Sequence, residues 1–269
     1  MLVNGEPAEL ISATDRGVAY GDGLFETVAV RDGAPELWRE HLVRLAEGCG
    51  RLAIPCPEEI EAEARGLCDG VERGVLKIIV TRGVGGRGYR PPEHPAPTRL
   101  LSIHPWPDYP GEWWRDGVTV RLCDTPLGAN PRLAGIKHLN RLEQVLARAE
   151  WSDPAIAEGL MRDGDGRVIE GVMSNLFVVR DGGLLTPTLD RCGVAGVVRG
   201  AVMKMAASLG ITCVEGEVRE ETLNRADELF LTNSVIGIWP VARLGERRRP
   251  VGPVTRRLQG ALARFGVVR

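Results

Sequence analysis

The distribution of apolar and polar residues divides the chain into two blocks. Residues 1–35 alternate short apolar stretches with turn signals at Asn4-Gly5 and Arg31-Asp32-Gly33. This is the pattern of antiparallel strands joined in hairpins. Leu37, Leu42, Leu45, Cys49 and Leu52 recur at helical spacing and predict a helix over 36–54. Pro57-Glu58-Glu59 opens a second predicted helix, to about residue 69, with proline in the first turn and acids at the positive end of the dipole. Residues 75–82 and 98–104 read as strands, and 83–97, rich in glycine and proline, as a long loop.

The run His104-Pro-Trp-Pro-Asp-Tyr-Pro-Gly111 carries three prolines in eight residues and predicts a linker over 106–112. It separates a smaller N-terminal α+β domain, 1–105, from a larger C-terminal α/β domain, 113–269. In the second block a strand is expected over 118–123. A helix is expected over 138–149, with Leu139, Leu142, Val145, Leu146 and Ala149 on one side. A meander of strands follows at 159–162, 168–170, 175–179 and 184–186, turning at 163–166 and 181–183. A helix over 196–209, strands at 228–232 and 238–242, and a last helix over 254–265 complete the block. Strands and helices mixed in two blocks indicate a two-domain α+β, or mixed α/β, protein.

Composition narrows the function classes. Of the 269 residues 43% are hydrophobic, enough for a sizeable core, and no apolar run approaches the length of a membrane span. A net charge of −2, with charges mixed along the chain, argues against a protein that binds nucleic acid through a basic face. Met1 to Glu6 shows neither the basic nor the apolar region of a secretion signal. The six cysteines form no C-x-x-C pair and meet no His-x-x-x-His, so neither a disulfide framework nor a zinc or other metal site is expected. Of the 34 basic residues only Lys77, Lys137 and Lys204 are lysines. Arginine carries surface charge equally well but cannot form a Schiff base, which draws attention to each lysine that remains.

Five segments carry candidate chemistry. Lys137 stands in Leu133-Ala-Gly-Ile-Lys-His-Leu-Asn-Arg141, and Glu170 in a strand followed by Gly171-Val-Met-Ser-Asn-Leu-Phe177. Gly196-Val197-Val198-Arg199 opens a helix after a loop, a natural anion site. Thr232-Asn233-Ser234 closes a strand with hydroxyls and an amide, and Arg44 lies on the first helix. Together they are the parts of a pyridoxal-phosphate site: an amine for the aldehyde, a carboxylate for the pyridine nitrogen, and amides and positive charge for the phosphate. Singly each has an ordinary explanation, as a solvated lysine, an exposed strand glutamate, a plain helix start and a helix-face charge. His41 and His138 lack any triad partner and read as supporting or surface groups.

Their order along the chain resolves the ambiguity. Asp15-Arg-Gly-Val-Ala-Tyr-Gly-Asp-Gly-Leu-Phe-Glu-Thr27 closely resembles the N-terminal signature of the fold type IV (D-aminotransferase-like) pyridoxal-phosphate enzymes. His41–Leu45, Lys137, Glu170 with Ser174-Asn-Leu-Phe177, Gly196-Val197 and Phe230-x-x-Asn233-Ser234 follow in that family's order, over nearly the whole chain. The resemblance implies that Lys137 is the catalytic lysine that binds the cofactor aldehyde and that Glu170 pairs with the pyridine nitrogen. Arg44, Gly196, Val197, Val198, Asn233 and Ser234 would receive the phosphate. It also implies a homodimer in the cytoplasm, with the 83–97 loop able to serve the partner's site.

Within this family two segments look like those of aminodeoxychorismate lyases: Thr81-Arg-Gly-Val-Gly-Gly-Arg-Gly-Tyr89 and Ala134-Gly-Ile-Lys-His-Leu-Asn-Arg-Leu-Glu-Gln-Val145. The tyrosine that aminotransferases of the family usually carry soon after the lysine is missing. That likeness implies conversion of 4-amino-4-deoxychorismate to 4-aminobenzoate and pyruvate, a step of folate biosynthesis. The alternatives are an aminotransferase for branched-chain or D-amino acids and a non-catalytic binding module. A substrate with two carboxylates needs cations in its pocket, and Arg87 on the glycine-rich loop is the first candidate, with Arg82 and Tyr89 next.

Overall fold

A computed structural model describes residues 1–264, whose contacts fall into two units: Met1–Pro107 with Ile136–Asn140, and Asp108–Gly135 with Arg141 onward. In the first unit the elements are β1 (Leu2–Val3), β2 (Glu6–Pro7), α1 (Arg16–Tyr20), β3 (Gly23–Arg31), β4 (Ala34–Pro35), α2 (Trp38–Leu52), α3 (Ile60–Cys68), β5 (Arg73–Thr81) and β6 (Thr98–His104). Its strands form one sheet in the order β2-β1-β6-β5-β3-β4. The antiparallel β3 and β5 pair along nine residues each, with Phe25 opposite Ile79 and Thr27 opposite Lys77. Alternation along β3 sends Leu24, Glu26 and Val28 to one face, where they are buried, and Phe25 and Thr27 to the half-buried other face.

Two expectations for this unit are corrected. The 1–35 stretch is not all strand. Asp15 caps α1 by accepting a hydrogen bond from the Gly17 N–H at 2.7 Å, and α1 ends at Gly21 in the left-handed conformation, φ +64°. The buried Asp15 carboxylate also accepts hydroxyl hydrogen bonds from Thr81, at 3.0 Å, and Thr98, at 2.7 Å, which ties α1 to the ends of β5 and β6. The second helix begins at Ile60, after a turn, rather than at Pro57.

The second unit holds α4 (Glu112–Arg115), β7 (Val118–Leu122), α5 (Leu142–Arg148), β8 (Ile156–Arg162), β9 (Val168–Gly171), β10 (Asn175–Arg180) and β11 (Gly183–Pro187). It continues with α6 (Val197–Ser208), β12 (Cys213–Gly216), α7 (Glu220–Asn224), β13 (Glu228–Asn233), β14 (Gly237–Leu244), β15 (Arg247–Arg248) and α8 (Pro253–Arg264). The strands run β12-β11-β10-β13-β14-β7-β8-β9, with β15 on β14. Trp114, Val120, Leu160, Leu176, Val178, Leu231 and Trp239 lie in its principal core. The last residue of the helix expected over 254–265 lies outside the described residues.

The segment around Lys137 overturns two readings at once. A helix is expected from residue 138, but 136–140 is irregular, with an isolated antiparallel bridge from His138 to Leu24, and α5 starts only at Leu142. The Phe25 N–H donates to the Lys137 carbonyl at 2.9 Å, and the Leu139 N–H donates to the Gly23 carbonyl at 3.0 Å. Backbone pairing with β3 outweighs the helical tendency of this short run. The lysine therefore belongs to the first unit, not to a continuous 113–269 body. The apolar side expected to bury α5 is exposed as well, Leu142 by 76% and Val145 and Leu146 by 60% each, while Gln144 and Ala147 face inward.

Candidate active site

The open face of the first sheet gathers two ammonium groups on one ring. The Nζ of Lys137 lies 4.3 Å from the centroid of Phe25 and that of Lys77 lies 3.8 Å from it. Lys77 stands on β5 opposite Thr27, so the strand register places it there. Burial holds its pKa down at about 8, against the pull of the Glu26 charge. The sequence analysis counted Lys77 but gave it no role. Its only sequence signal is its scarcity.

Behind that face lies a buried ion pair that the sequence analysis did not single out. Glu26, 1% exposed, accepts from Arg44 Nε at 2.8 Å and Nη2 at 2.5 Å, and meets His41 Nδ1 at 2.7 Å. Burial pushes the Glu26 carboxyl up, but the Arg44 and His41 hydrogen bonds outweigh it and hold it at about 2. His41 is held below its ordinary range by burial and, more weakly, by the Arg44 and Lys137 charges, while Glu26 pulls the other way. The stable arrangement is thus carboxylate paired with guanidinium, with a neutral imidazole on the same carboxylate. Arg44 is a side chain oriented by a bidentate partner, not a solvated helix-face charge.

The glycine-rich loop after β5 is held by the signature segment. Arg16 donates to Asp22 at 2.8 Å, to the Gly88 carbonyl at 3.0 Å and to the Tyr89 carbonyl at 3.1 Å. The Gly88 N–H donates to the Tyr20 hydroxyl at 3.0 Å. Arg82 is buried and committed. It donates from two nitrogens to Asp22, at 2.8 and 3.0 Å, and to the Leu52 and Ala53 carbonyls, each at 2.8 Å. Its candidacy as a substrate contact is therefore corrected: four of its five N–H groups are spent on fixing the loop's root. Tyr89 is exposed and packs against Tyr20, with centroids 5.4 Å apart. Arg87 is exposed on the clamped loop.

In the second unit Glu170 is 4% exposed, not on the surface. Its Oε2 accepts the Val194 N–H at 2.8 Å and the Asn175 Nδ2–H at 3.4 Å, and Asn175 Nδ2 also donates to the Val194 carbonyl at 2.8 Å. Two glycines allow this approach. A Cβ on Gly193, φ +87°, would fall 2.8 Å from Ile169 and Leu189 and 3.3 Å from Glu170 Oε2, and one on Gly196 would overlap Asn175 Oδ1. Arg141, whose buried cation is held down by desolvation, feels the Glu170 charge.

Gly196 is the N-cap of α6, and neither a capping side chain nor an acid occupies the first turn. Val197 and Val198 are buried, so backbone N–H groups are what they offer an anion. Thr232, buried at the end of β13, has a hydroxyl with no hydrogen-bond partner. Asn233 differs from expectation. Its Oδ1 accepts the Val235 and Ile236 N–H groups at 2.8 and 2.9 Å, and its Nδ2 donates to the Met173 carbonyl at 3.1 Å. It builds the turn that carries Ser234 rather than presenting a whole amide to a ligand.

Each unit carries features that fit pyridoxal phosphate: in the first a lysine ammonium on an aromatic ring, and in the second a buried carboxylate pinned by a backbone N–H, an uncapped helix start and an unpartnered buried hydroxyl. Among the described residues no cluster of metal-binding side chains occurs, and no helix is long and apolar enough to cross a membrane.

Comparison with known proteins agrees with the geometry. Residues 23–244 match the Amino-transferase class IV family. The chain is 37% identical to an aminodeoxychorismate lyase of Vibrio harveyi over 97% of this chain and 98% of that one. It superposes on a crystal structure of 4-amino-4-deoxychorismate lyase from Pseudomonas aeruginosa with a TM-score of 0.95 and 53% identity, covering 98% of each chain. A branched-chain amino acid aminotransferase from Escherichia coli is similar at a TM-score of 0.86 and 25% identity, over 99% of this chain and 95% of that one. The chain belongs to the amino-transferase class IV family, the fold type IV enzymes that work with pyridoxal phosphate.

Proposed function

We propose that this chain cleaves 4-amino-4-deoxychorismate to 4-aminobenzoate and pyruvate, the reaction that the Vibrio and Pseudomonas relatives' names describe. The observation that carries the choice of substrate is Lys77, a second ammonium 3.8 Å from the Phe25 ring that Lys137 also contacts. A substrate with two carboxylates needs cations beyond the amine that handles the cofactor. A branched-chain amino acid, with one carboxylate and an apolar side chain, would leave this half-buried ammonium unmatched.

Bound pyridoxal phosphate supplies an electron sink for charge left on the amine-bearing ring carbon. Lys137 would hold the cofactor aldehyde, and its amine, when free, would serve as the base for the proton on that carbon. Glu170, fixed by the Val194 N–H, would hold the pyridine nitrogen in its protonated form. Arg44, oriented by Glu26, would serve the phosphate, as would the Val197 and Val198 N–H groups at Gly196 and the turn at Asn233 and Ser234. Lys77 and Arg87 receive the substrate carboxylates. Loss of the enolpyruvyl group makes the ring aromatic, which drives the elimination. A cytoplasmic homodimer belongs to the same proposal, and the exposed apolar side of α5 is compatible with a partner surface.

The test is product analysis with purified enzyme and aminodeoxychorismate. Aminobenzoate and pyruvate should form with no keto-acid acceptor present. A strict need for an acceptor, with amino transfer to it, would establish an aminotransferase instead. Lys137→Ala should abolish both turnover and the cofactor's visible absorption band.

A further inference from the structure

Glu158, in β8, has no role in the site as described, yet it is 1% exposed. Burial pushes its carboxyl up, against hydrogen bonds from Ser174 and the backbone. Its hydrogen bonds come from the 171–174 turn and from the backbone of its neighbour Gly159, with no basic side chain among these donors. The Gly159 N–H reaches Oε1 at 2.9 Å, and the Met173 N–H and Ser174 hydroxyl reach Oε2 at 3.1 and 2.8 Å. A buried carboxylate is a costly way to fill a core, and an apolar side chain would fill it better. The cost points to a task at the 171–174 turn.

That turn joins the two strands that hold the pyridine end of the site. Glu170 lies immediately before it and Asn175 immediately after it, and the Gly171 N–H closes it on the Ser174 carbonyl at 2.7 Å. A Cβ on Gly171 would overlap Ser174 Oγ and fall 2.9 Å from Glu158 Oε2, so the glycine lets the carboxylate enter. The same turn supports the phosphate end. The Met173 carbonyl accepts from Asn233 Nδ2 at 3.1 Å, and Asn233 Oδ1 accepts the Val235 and Ile236 N–H groups, which closes the turn that contains Ser234.

We propose that Glu158 is a positioning residue that fixes the 171–174 turn and, through it, holds both the Glu170 carboxylate and the Ser234 turn in place for the cofactor. This rests on the reading of Glu170 and Ser234 as cofactor contacts. Glu158→Gln tests it at constant volume, because its amide would turn an N–H toward groups that are themselves donors.

Apoprotein of the wild type, Glu158→Gln, Ser174→Ala and Glu170→Ala is titrated with pyridoxal phosphate and with pyridoxal, and melting temperatures are taken with and without cofactor. Glu158→Gln should weaken pyridoxal phosphate binding by about 10- to 100-fold, the range in which outer partners act at metal sites. The loss should be smaller for pyridoxal, which lacks the phosphate. Ser174→Ala should show the same pattern more weakly, and it decides the matter if Glu158→Gln does not fold. Equal melting losses in apo and holo protein with unchanged affinity would mean that Glu158 only fills space, and would overturn the proposal. A loss in Glu170→Ala with none in the other two variants overturns the proposal alone. Wild-type affinity in Glu170→Ala overturns the underlying assignment as well.

Discussion

Glu26→Gln removes one charge from the Glu26–Arg44 pair while keeping its shape, and its consequences can be worked out from the folded-state pKa. The carboxyl is held at about 2 against an ordinary 4.5. Each unit corresponds to about 1.4 kcal/mol, so the depressed pKa represents about 3 kcal/mol of stability. The sign is that of a depressed acid: the contribution is fully present above the ordinary value and disappears as pH falls toward the folded one. By pH 3 roughly 2 kcal/mol of it is gone, nearly all of that between pH 5 and pH 3. The variant also leaves the Arg44 guanidinium, 11% exposed, without its balancing charge, a loss of about 3–5 kcal/mol when one partner of a buried pair is removed. His41 acts in a different window. Its depressed pKa removes stability as pH falls below its ordinary 6.5, in wild type and variant alike. Urea denaturation of apoprotein at pH 7, 5 and 3 separates these effects. Glu26→Gln should be less stable at pH 7 by about 3 kcal/mol, and the gap to wild type should narrow by about 2 kcal/mol between pH 5 and pH 3. A gap that stays constant over that interval would refute the buried ion pair as the source of the stability.

Three further outcomes follow from named contacts. Lys77 loses its charge as pH rises through about 8, so kcat/KM for aminodeoxychorismate should fall above that pH, and Lys77→Met should lower it by about 10- to 100-fold at pH 7. A pH profile of Lys77→Met identical to wild type would exclude Lys77 from the substrate site. Gly196→Ala, at a φ of −62° that alanine tolerates, drives its Cβ onto Asn175 Oδ1. It should cost about 1–3 kcal/mol in chemical denaturation, together with a weakened cofactor complex, and wild-type values of both would show that the contact is dispensable. Cys56 is exposed, and a hydrogen bond from Cys49 outweighs its partial burial to bring the thiol down to about 7. Iodoacetamide should therefore label one thiol with a rate midpoint near pH 7, abolished in Cys56→Ser, whereas a midpoint near 9 would contradict the pairing.

The physical basis of legibility differs from element to element. Helix α6 was readable because Gly196 follows a loop and apolar residues follow it at helical spacing, and the strands at 168–171 and 175–180 were readable because a turn lies on each side. These are local signals, set by backbone preferences within a few residues. The family order of Lys137, Glu170 and Asn233-Ser234 was readable for another reason, as fixed residue types at fixed succession. Residues 138–141 read as helix in the sequence but are not, because the strand they meet, 23–25, lies more than a hundred residues earlier and no short window along the chain contains both.

The sequence by itself determined the mixed architecture, the candidate lysine and carboxylate, and the kinship with pyridoxal-phosphate enzymes. Tertiary structure alone decided what each charged group is attached to. It turned Arg82 from a ligand candidate into a clamp on Asp22, placed Glu26 behind Arg44, and set Lys77 beside Phe25. A side chain's ionisation and availability depend on which donors, acceptors and solvent reach it. In a folded chain those neighbours come from strands and helices far apart in sequence.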